Sequence, residues 1–256
     1  MHPELFRIFG LPIKSYGLML VIGFALAIWR AVRISKKRYG IDPSRVYDIA
    51  LIALFAGVIG ARLVYVILDR VPWDEFIRVW DGGLSFHGGL AAAFLCGGIY
   101  TWRARISFWD AADMAMPSLA IAYACTRIGC FINGCCYGAP THLPWAVRFL
   151  EHEVGGRRYY TPPSHPTQIY AALANLLIFF LLVKIERARM PRGFATAAYM
   201  GLYGVYRLLI EFLRAGYTAE YWRFGLTQAQ AVSIVMVVGS AVAVAVLGHR
   251  PRVESE

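Results

Sequence analysis

Charge is scarce in this chain. Of its 256 residues only 16% are Asp, Glu, Lys or Arg, against roughly 25% in an average soluble domain. That scarcity, beside 58% hydrophobic residues, excludes a disordered, self-repelling chain and argues against a soluble globule. Cysteine is sparse too. There are five, too few and too clustered for a disulfide framework. The opening MHPELFRIFG lacks a basic stretch before its first apolar run, so no cleaved signal peptide is read there. No internal repeat is visible, which weakens a transporter built from two similar halves. The net charge is +10, yet no basic run with interleaved aromatics forms a patch for nucleic acid.

What remains is long apolar runs. A membrane helix needs about 20 mostly apolar residues. Seven stretches qualify, at about 15–32, 46–68, 84–102, 111–126, 167–184, 193–211 and 227–247. The fourth is the shortest, and the last carries no charge. The expected class is an all-α integral membrane protein, one polytopic domain over 1–256. Lys and Arg decide orientation. The densest basic cluster, Arg33 to Arg45, follows the first span. This predicts the N-terminus outside and the C-terminus inside, with basic segments meeting anionic lipid headgroups. The segment 127–166, rich in Gly, Pro, His, Tyr and Cys, reads as a functional head or re-entrant loop region on the outer side.

Ionisable residues inside such spans cost about 2.5–3.5 kcal/mol on insertion scales, so they face a cavity or a partner. Arg62, in GVIGARLVYVIL, is either a packing ion pair with Asp48 or Asp113 or an anion contact. Arg207, Glu211 and Arg214 share one helix face by their spacing of four and three. Arg214 fits a snorkelling belt, whereas Arg207 held by Glu211 suits a phosphate. His87 lies between glycines in SFHGGL, where backbone and ligand can come close. It is a structural histidine or a general base, imidazole being the side chain that titrates near neutrality.

RIGCFINGCCYGAP, residues 127–140, supports three readings. Cys130, Cys135 and Cys136 could bind metal with His87 or His165, but the spacing is not C-x-x-C and adjacent cysteines chelate poorly. They could form a redox pair. The reading taken here is a re-entrant loop in which Arg127 and Asn133 meet substrate and the cysteines pack. No metal and no cofactor is assigned. In SHPTQIY, His165 and Gln168 begin the fifth span. Ser164 or Thr167 could cap that helix, or its N-terminus could point at an anion. Tyr16, after Lys14, is an aromatic-belt residue on its own evidence.

Taken together and in order, these motifs resemble the prolipoprotein diacylglyceryl transferase family. The resemblance rests on SYGLMLVIGF (15–24), GARLVYVI (60–67), GGLSFHGGL (82–90), Asp113 with Pro117, RIGCFINGCCYG (127–138), HPTQIY (165–170) and GVYRLLIEFLR (204–214). It implies a bacterial inner-membrane enzyme with seven spans, a periplasmic head and the N-terminus outside. It implies transfer of the diacylglyceryl group of phosphatidylglycerol to the lipobox cysteine in a prolipoprotein signal peptide. Glycerol 1-phosphate is released, in the first step of lipoprotein maturation. By the same resemblance Tyr16, His87, Arg127, Asn133, Gly138, Arg207 and Glu211 fall at positions tied to activity or substrate binding. The residue reading adds Arg62, His165 and Gln168.

Two departures stand out. Many members of that family carry Asn and Glu where this chain has Cys130 and Cys135, and an acidic residue where it has Ala171. They leave room for a divergent paralogue with another donor or acceptor. A membrane thiol–disulfide protein using Cys130, Cys135 and Cys136 is the rival from another class.

Overall fold

The computed structural model describes residues 4–8, 11–78, 83–154, 157–214, 221–223 and 225–249. Gly82, which opens the GGLSFHGGL motif, and residues 1–3, 9 and 10 of the opening segment lie outside the described residues. Among the described residues seven α-helices follow in chain order. They are α1 (Ser15–Tyr39), α2 (Pro43–Leu68), α3 (Phe86–Arg103), α4 (Phe108–Asn133), α5 (Thr167–Arg187), α6 (Phe194–Glu211) and α7 (Gln228–Gly248). Each apolar run of the sequence is therefore a helix. Five of them, α1, α2, α4, α5 and α7, are long and apolar enough to cross a membrane. The other two, α3 and α6, are shorter at 18 residues each. Outward-facing side chains such as Val21 (65% exposed), Phe55 (62%) and Val235 (71%) suit lipid rather than water.

Three two-stranded antiparallel hairpins, absent from the sequence reading, accompany the helices. They are β1 (Glu4–Ile8) with β2 (Leu11–Lys14), β3 (Leu150–Val154) with β4 (Arg157–Tyr160), and β5 (Tyr221–Arg223) with β6 (Leu226–Thr227).

The chain divides into two compact units, residues 28–114 and residues 1–27 with 115–256. In the first, α2 and α3 pack backbone to backbone. A Cβ on Gly88 would meet the Gly60 carbonyl oxygen at 2.5 Å, and one on Gly60 would meet Ala92 at 2.2 Å. Gly89 sits the same way against the Gly57 carbonyl. The glycines around His87 thus serve helix approach, as small residues do in membrane interfaces. Arg62 is buried and clamps the segment that follows α2. Its Nε donates to the Phe76 carbonyl at 3.1 Å, Nη1 to Gly83 at 3.1 Å and Nη2 to Glu75 at 2.5 Å. Asp48, one expected partner of Arg62, instead accepts a hydrogen bond from Tyr100, which also accepts from Arg45. A core of Ala31, Ile41, Val46, Ala111 and Met114 closes this unit.

In the second unit α1 meets α4 at Gly23, where a Cβ would lie 2.8 Å from the Ala122 carbonyl oxygen. Against α7, α6 packs through Gly201 and Gly204, and Ser240 Oγ donates to the Ala197 carbonyl at 2.7 Å. Beyond α4, Phe149 is fully buried. Tyr137 stacks on that ring at 4.9 Å, and Thr161 Oγ1 accepts the Phe149 amide at 3.0 Å.

Valine at position 88 would have to push the Gly60 backbone aside. Overpacking of this kind costs about 1–3 kcal/mol or more. Gly88→Val should therefore lower the detergent-solubilised melting temperature clearly, whereas Gly97→Ala, with nothing within 4 Å, should not. Equal melting curves for the two variants would refute the packing role.

Candidate active site

The fourth helix runs to Asn133, not to about 126 as the apolar run suggested. Its end is set by Gly134, whose φ of 83° is left-handed. The Gly134 amide bonds the Phe131 carbonyl at 3.2 Å, and the Cys135 amide bonds that of Cys130 at 3.1 Å. This is a Schellman stop. Arg127, Cys130 and Asn133 accordingly stand on a helix, and the irregular chain begins only at Gly134. The expectation of a re-entrant loop from Arg127 onward is corrected for residues 127–133.

Arg127 leans over the Tyr123 ring, 4.6 Å from its centroid, and hydrogen-bonds the Tyr123 hydroxyl. Tyr203 lies edge-on to Tyr123 at 5.7 Å and neighbours Tyr199 and Tyr206 at 5.8 and 5.7 Å. This tyrosine group stiffens the guanidinium's seat. Arg127 Nε is buried and has no hydrogen-bond partner among the described residues, which leaves it a donor to spare.

Beside it opens a small pocket lined by Arg127, Cys136, Thr167, Tyr206, Arg207 and Arg214, with Ala171 and Ile210. Among the described residues three guanidinium groups and no carboxylate line it. Arg214 therefore belongs with Arg207 at this pocket rather than in a belt. The seven-residue spacing of the two placed them on one face, and the turn after α6 continues it, with the Arg214 amide bonded to the Glu211 carbonyl at 2.9 Å.

Arg207 is held by an ion pair to Glu211, whose side chain is 2% exposed. The other Glu211 oxygen accepts from Thr227 Oγ1 at 2.9 Å. Thr227 is also the N-cap of α7, in a capping box with Gln230. One carboxylate thus fixes Arg207 and ties the end of α6 to the start of α7.

The start of α5 corrects the capping reading of Ser164 and Thr167. Its N-cap is Pro166, without a side-chain cap. Ser164 Oγ donates to the Pro162 carbonyl at 2.8 Å. Thr167 Oγ1 donates to the Cys136 carbonyl at 2.8 Å, and Gln168 Nε2 to that of Cys135 at 2.7 Å. These side chains pin the loop in place of capping a helix, because the carbonyls left by the Schellman turn need donors. His165 lies against Tyr170, ring centroids 6.2 Å apart, and its buried Nδ1 has no hydrogen-bond partner among the described residues. Gly138 is the crossing point. Its amide bonds the His165 carbonyl at 3.0 Å, and a Cβ there would meet the Leu213 carbonyl oxygen at 2.7 Å.

Tyr16, at the start of α1, has its Cα 3.3 Å from where a Cβ on Gly129 would stand. The Asn133 side chain hydrogen-bonds Cys135. Cys136 lies past the helix. Hydrogen bonds from the Cys130 and Cys135 thiols, and then the charges of Arg127 and Arg214, hold its thiol below the ordinary range. His87 is exposed on the first turn of α3, behind the Ser85 cap. The site residues so divide between the units. His87 and Arg62 belong to one, and Tyr16, Arg127, Asn133, Gly138, His165, Gln168, Arg207 and Glu211 to the other. Tyr123, Tyr206 and Thr227 are neighbours of the site that the sequence reading missed, and Arg214 is one that it read as a belt residue. Only Arg214 carried a usable signal, its spacing.

Between α5 and α6 an apolar groove of about 370 Å³ runs along Ala174, Leu177, Leu181, Leu202, Val205 and Leu209. It shares Tyr206 and Ile210 with the arginine pocket. A cationic pocket at the head of an apolar groove has the polarity of a phospholipid.

A family model described as prolipoprotein diacylglyceryl transferase matches residues 3–246. The chain belongs to that family. Proteins described as phosphatidylglycerol–prolipoprotein diacylglyceryl transferases from three bacteria are similar to it over most of their length. The one from Finegoldia magna is 34% identical over 245 residues, 93% of this chain and 92% of that protein. Its counterpart from Symbiobacterium thermophilum is 33% identical over 255 residues, 97% and 94% of the two chains. The Clostridium tetani protein is 32% identical over 217 residues, 84% and 86%. As a diacylglyceryl transferase family member with five apolar helices of spanning length, the chain is a multi-pass membrane protein.

Removing one partner of a buried ion pair costs about 3–5 kcal/mol, because the other charge is left uncompensated. Glu211→Ala should therefore be markedly less stable in detergent than Thr227→Ser, which keeps the hydroxyl that bonds Glu211 and caps α7. A Glu211→Ala melt matching that of the unsubstituted protein would remove Glu211 from this role.

Proposed function

We propose that this protein transfers the diacylglyceryl group of phosphatidylglycerol to the thiol of a prolipoprotein's lipobox cysteine, releasing glycerol 1-phosphate. The observation that carries the reading is the pocket of Arg127, Arg207 and Arg214 at the head of the α5–α6 groove. Acyl chains fit the groove and a phosphodiester fits the guanidinium groups, which bind phosphate oxygens bidentately. The match in family and in named relatives supports the same substrates.

The chemistry follows from atom balance. The substrate thiol loses its proton and attacks the glyceryl carbon that bears the phosphate. A carbon–sulfur bond forms and the carbon–oxygen bond to phosphate breaks. Charge grows on the departing phosphate, where preorganised cations lower the barrier most. Arg127, with its unpartnered Nε, and Arg207, held by Glu211, take that role. His87 is the proposed base for the thiol, and Tyr16, Asn133, Gly138, His165 and Gln168 shape the surroundings. None of the chain's own cysteines acts as nucleophile in this scheme, because the sulfur of the product belongs to the acceptor.

We further infer seven membrane crossings in one polytopic domain of the bacterial inner membrane. The N-terminus is outside, the C-terminus inside and the 127–166 head periplasmic. The basic ends of α1 (Lys36, Lys37, Arg38) and α5 (Lys184, Arg187) support the orientation.

Two measurements test this reading. Purified protein with phosphatidylglycerol and a single-cysteine lipobox peptide should add one diacylglyceryl mass to the peptide. Arg127→Ala and Arg207→Ala should lower turnover by about 10²–10³-fold, the scale of losing a donor at developing charge, and His87→Ala should be severely impaired. Folded arginine variants with near-normal turnover would overturn the phosphate clamp, and a working His87→Asn would overturn the base. For topology, a fluorescent protein fused to the C-terminus should fluoresce in cells, and a dark, fully expressed fusion would reverse the orientation.

A further inference from the structure

The Schellman stop at the end of α4 has a chemical consequence. It folds the chain back so that Cys130, on the last turn, faces the vicinal pair Cys135 and Cys136. The three Sγ atoms all lie within 4.8 Å of one another. In sequence the pair is adjacent and no C-x-x-C spacing is present, which had argued against chelation. The fold supplies what the spacing does not. Cys136 adopts a left-handed φ of 63°, a backbone state that non-glycine residues rarely hold, and the bend lets both thiols of the pair reach Cys130. The geometry is held in place by the Cys135 amide on the Cys130 carbonyl, by Gln168 on the Cys135 carbonyl and by Thr167 on the Cys136 carbonyl. The cysteines are free thiols, Cys130 buried and the pair progressively nearer solvent.

We propose that Cys130, Cys135 and Cys136 form a thiolate site for one soft divalent cation of the zinc type, at the edge of the arginine pocket that Cys136 also lines. Among the described residues the ligand group comprises these three thiols, which leaves a tetrahedral ion one position for water. Zinc–sulfur bonds of about 2.3 Å put tetrahedral thiolates roughly 3.8 Å apart, so the thiols need close by no more than about 1 Å. Binding exchanges three thiol protons for the ion and oxidises nothing. The bound centre carries one net negative charge, which Arg127 and Arg214 offset across the pocket. Soft thiolates select zinc and similar ions over magnesium or calcium.

The test uses full-length protein in detergent under reducing conditions, zinc chloride as the probe, and no lipid substrate. Its outcome is therefore separate from that of the transferase reading. Metal analysis after dialysis should give one zinc per chain, and X-ray absorption should show three sulfur neighbours at about 2.3 Å. Cys136→Ser and Cys130→Ser should each weaken zinc binding by more than about 100-fold, since changes merely behind a metal's ligands already weaken it 10–100-fold. Cys96→Ser and Cys125→Ser should bind as the unsubstituted protein does. Cys136→Ser, at the exposed end of the cluster, guards against a folding defect in the buried variant, with an unchanged elution profile and melt as the criterion. Undiminished zinc in a folded Cys136→Ser protein, or a zinc shell without sulfur, would overturn the proposal.

Discussion

Among the described residues three guanidinium groups line one pocket, and that concentration of cations is the constraint around which the second unit is organised. A cation away from water must be compensated or it destabilises the fold. Glu211 supplies the compensation for Arg207 and does so from a buried position, bonded also to the cap of α7. Arg127 is treated differently. Its charge rests on the face and hydroxyl of Tyr123, and its Nε keeps a donor without an acceptor among the described residues. In the proposed reading, that donor is the one an arriving phosphodiester meets. The apolar groove that shares Tyr206 and Ile210 with the pocket gives such an anion an apolar tail site.

The scaffold that holds this charge is made by close approach, not by large side chains. At Gly60 and Gly88, at Gly23, and at Gly201 and Gly204, helices come near enough that a methyl group would strike a neighbour. In a membrane the apolar effect does not distinguish a helix neighbour from a lipid, so dispersion and intimate backbone contact must hold helices together. The same economy explains Gly138, where the loop, the start of α5 and the turn after α6 exchange backbone hydrogen bonds in too little space for a side chain.

Much of this was legible in the residues. The apolar runs located every helix, because a bilayer imposes its length on the sequence. The i, i+4 spacing of Arg207 and Glu211 correctly implied their pairing. The same spacing put Arg214 on that face, where the belt reading gave way to the pocket. What was not legible depended on local backbone or on distant partners. Arg127 reads as a loop residue until Gly134 is known to be the residue that turns left-handed. Thr167 and Gln168 look like helix-start residues, yet they serve carbonyls more than thirty positions away. The glycines beside His87 suggested room for a ligand but are consumed by packing against α2. The short hairpins have no periodicity long enough to register. The meeting of three thiols follows from a turn, not from a spacing motif.

The central claim is that the arginine pocket receives the phosphate of a phospholipid whose chains lie between α5 and α6. The most direct measurement is an experimental structure of the protein in a bilayer mimic containing phosphatidylglycerol and no peptide acceptor. The account requires the lipid phosphorus between the Arg127 and Arg207 guanidinium groups, with Arg127 Nε donating to a phosphate oxygen and acyl density beside Leu177 and Leu209. A headgroup bound elsewhere, with the pocket holding only water and Arg127 Nε still lacking an anion, would contradict it.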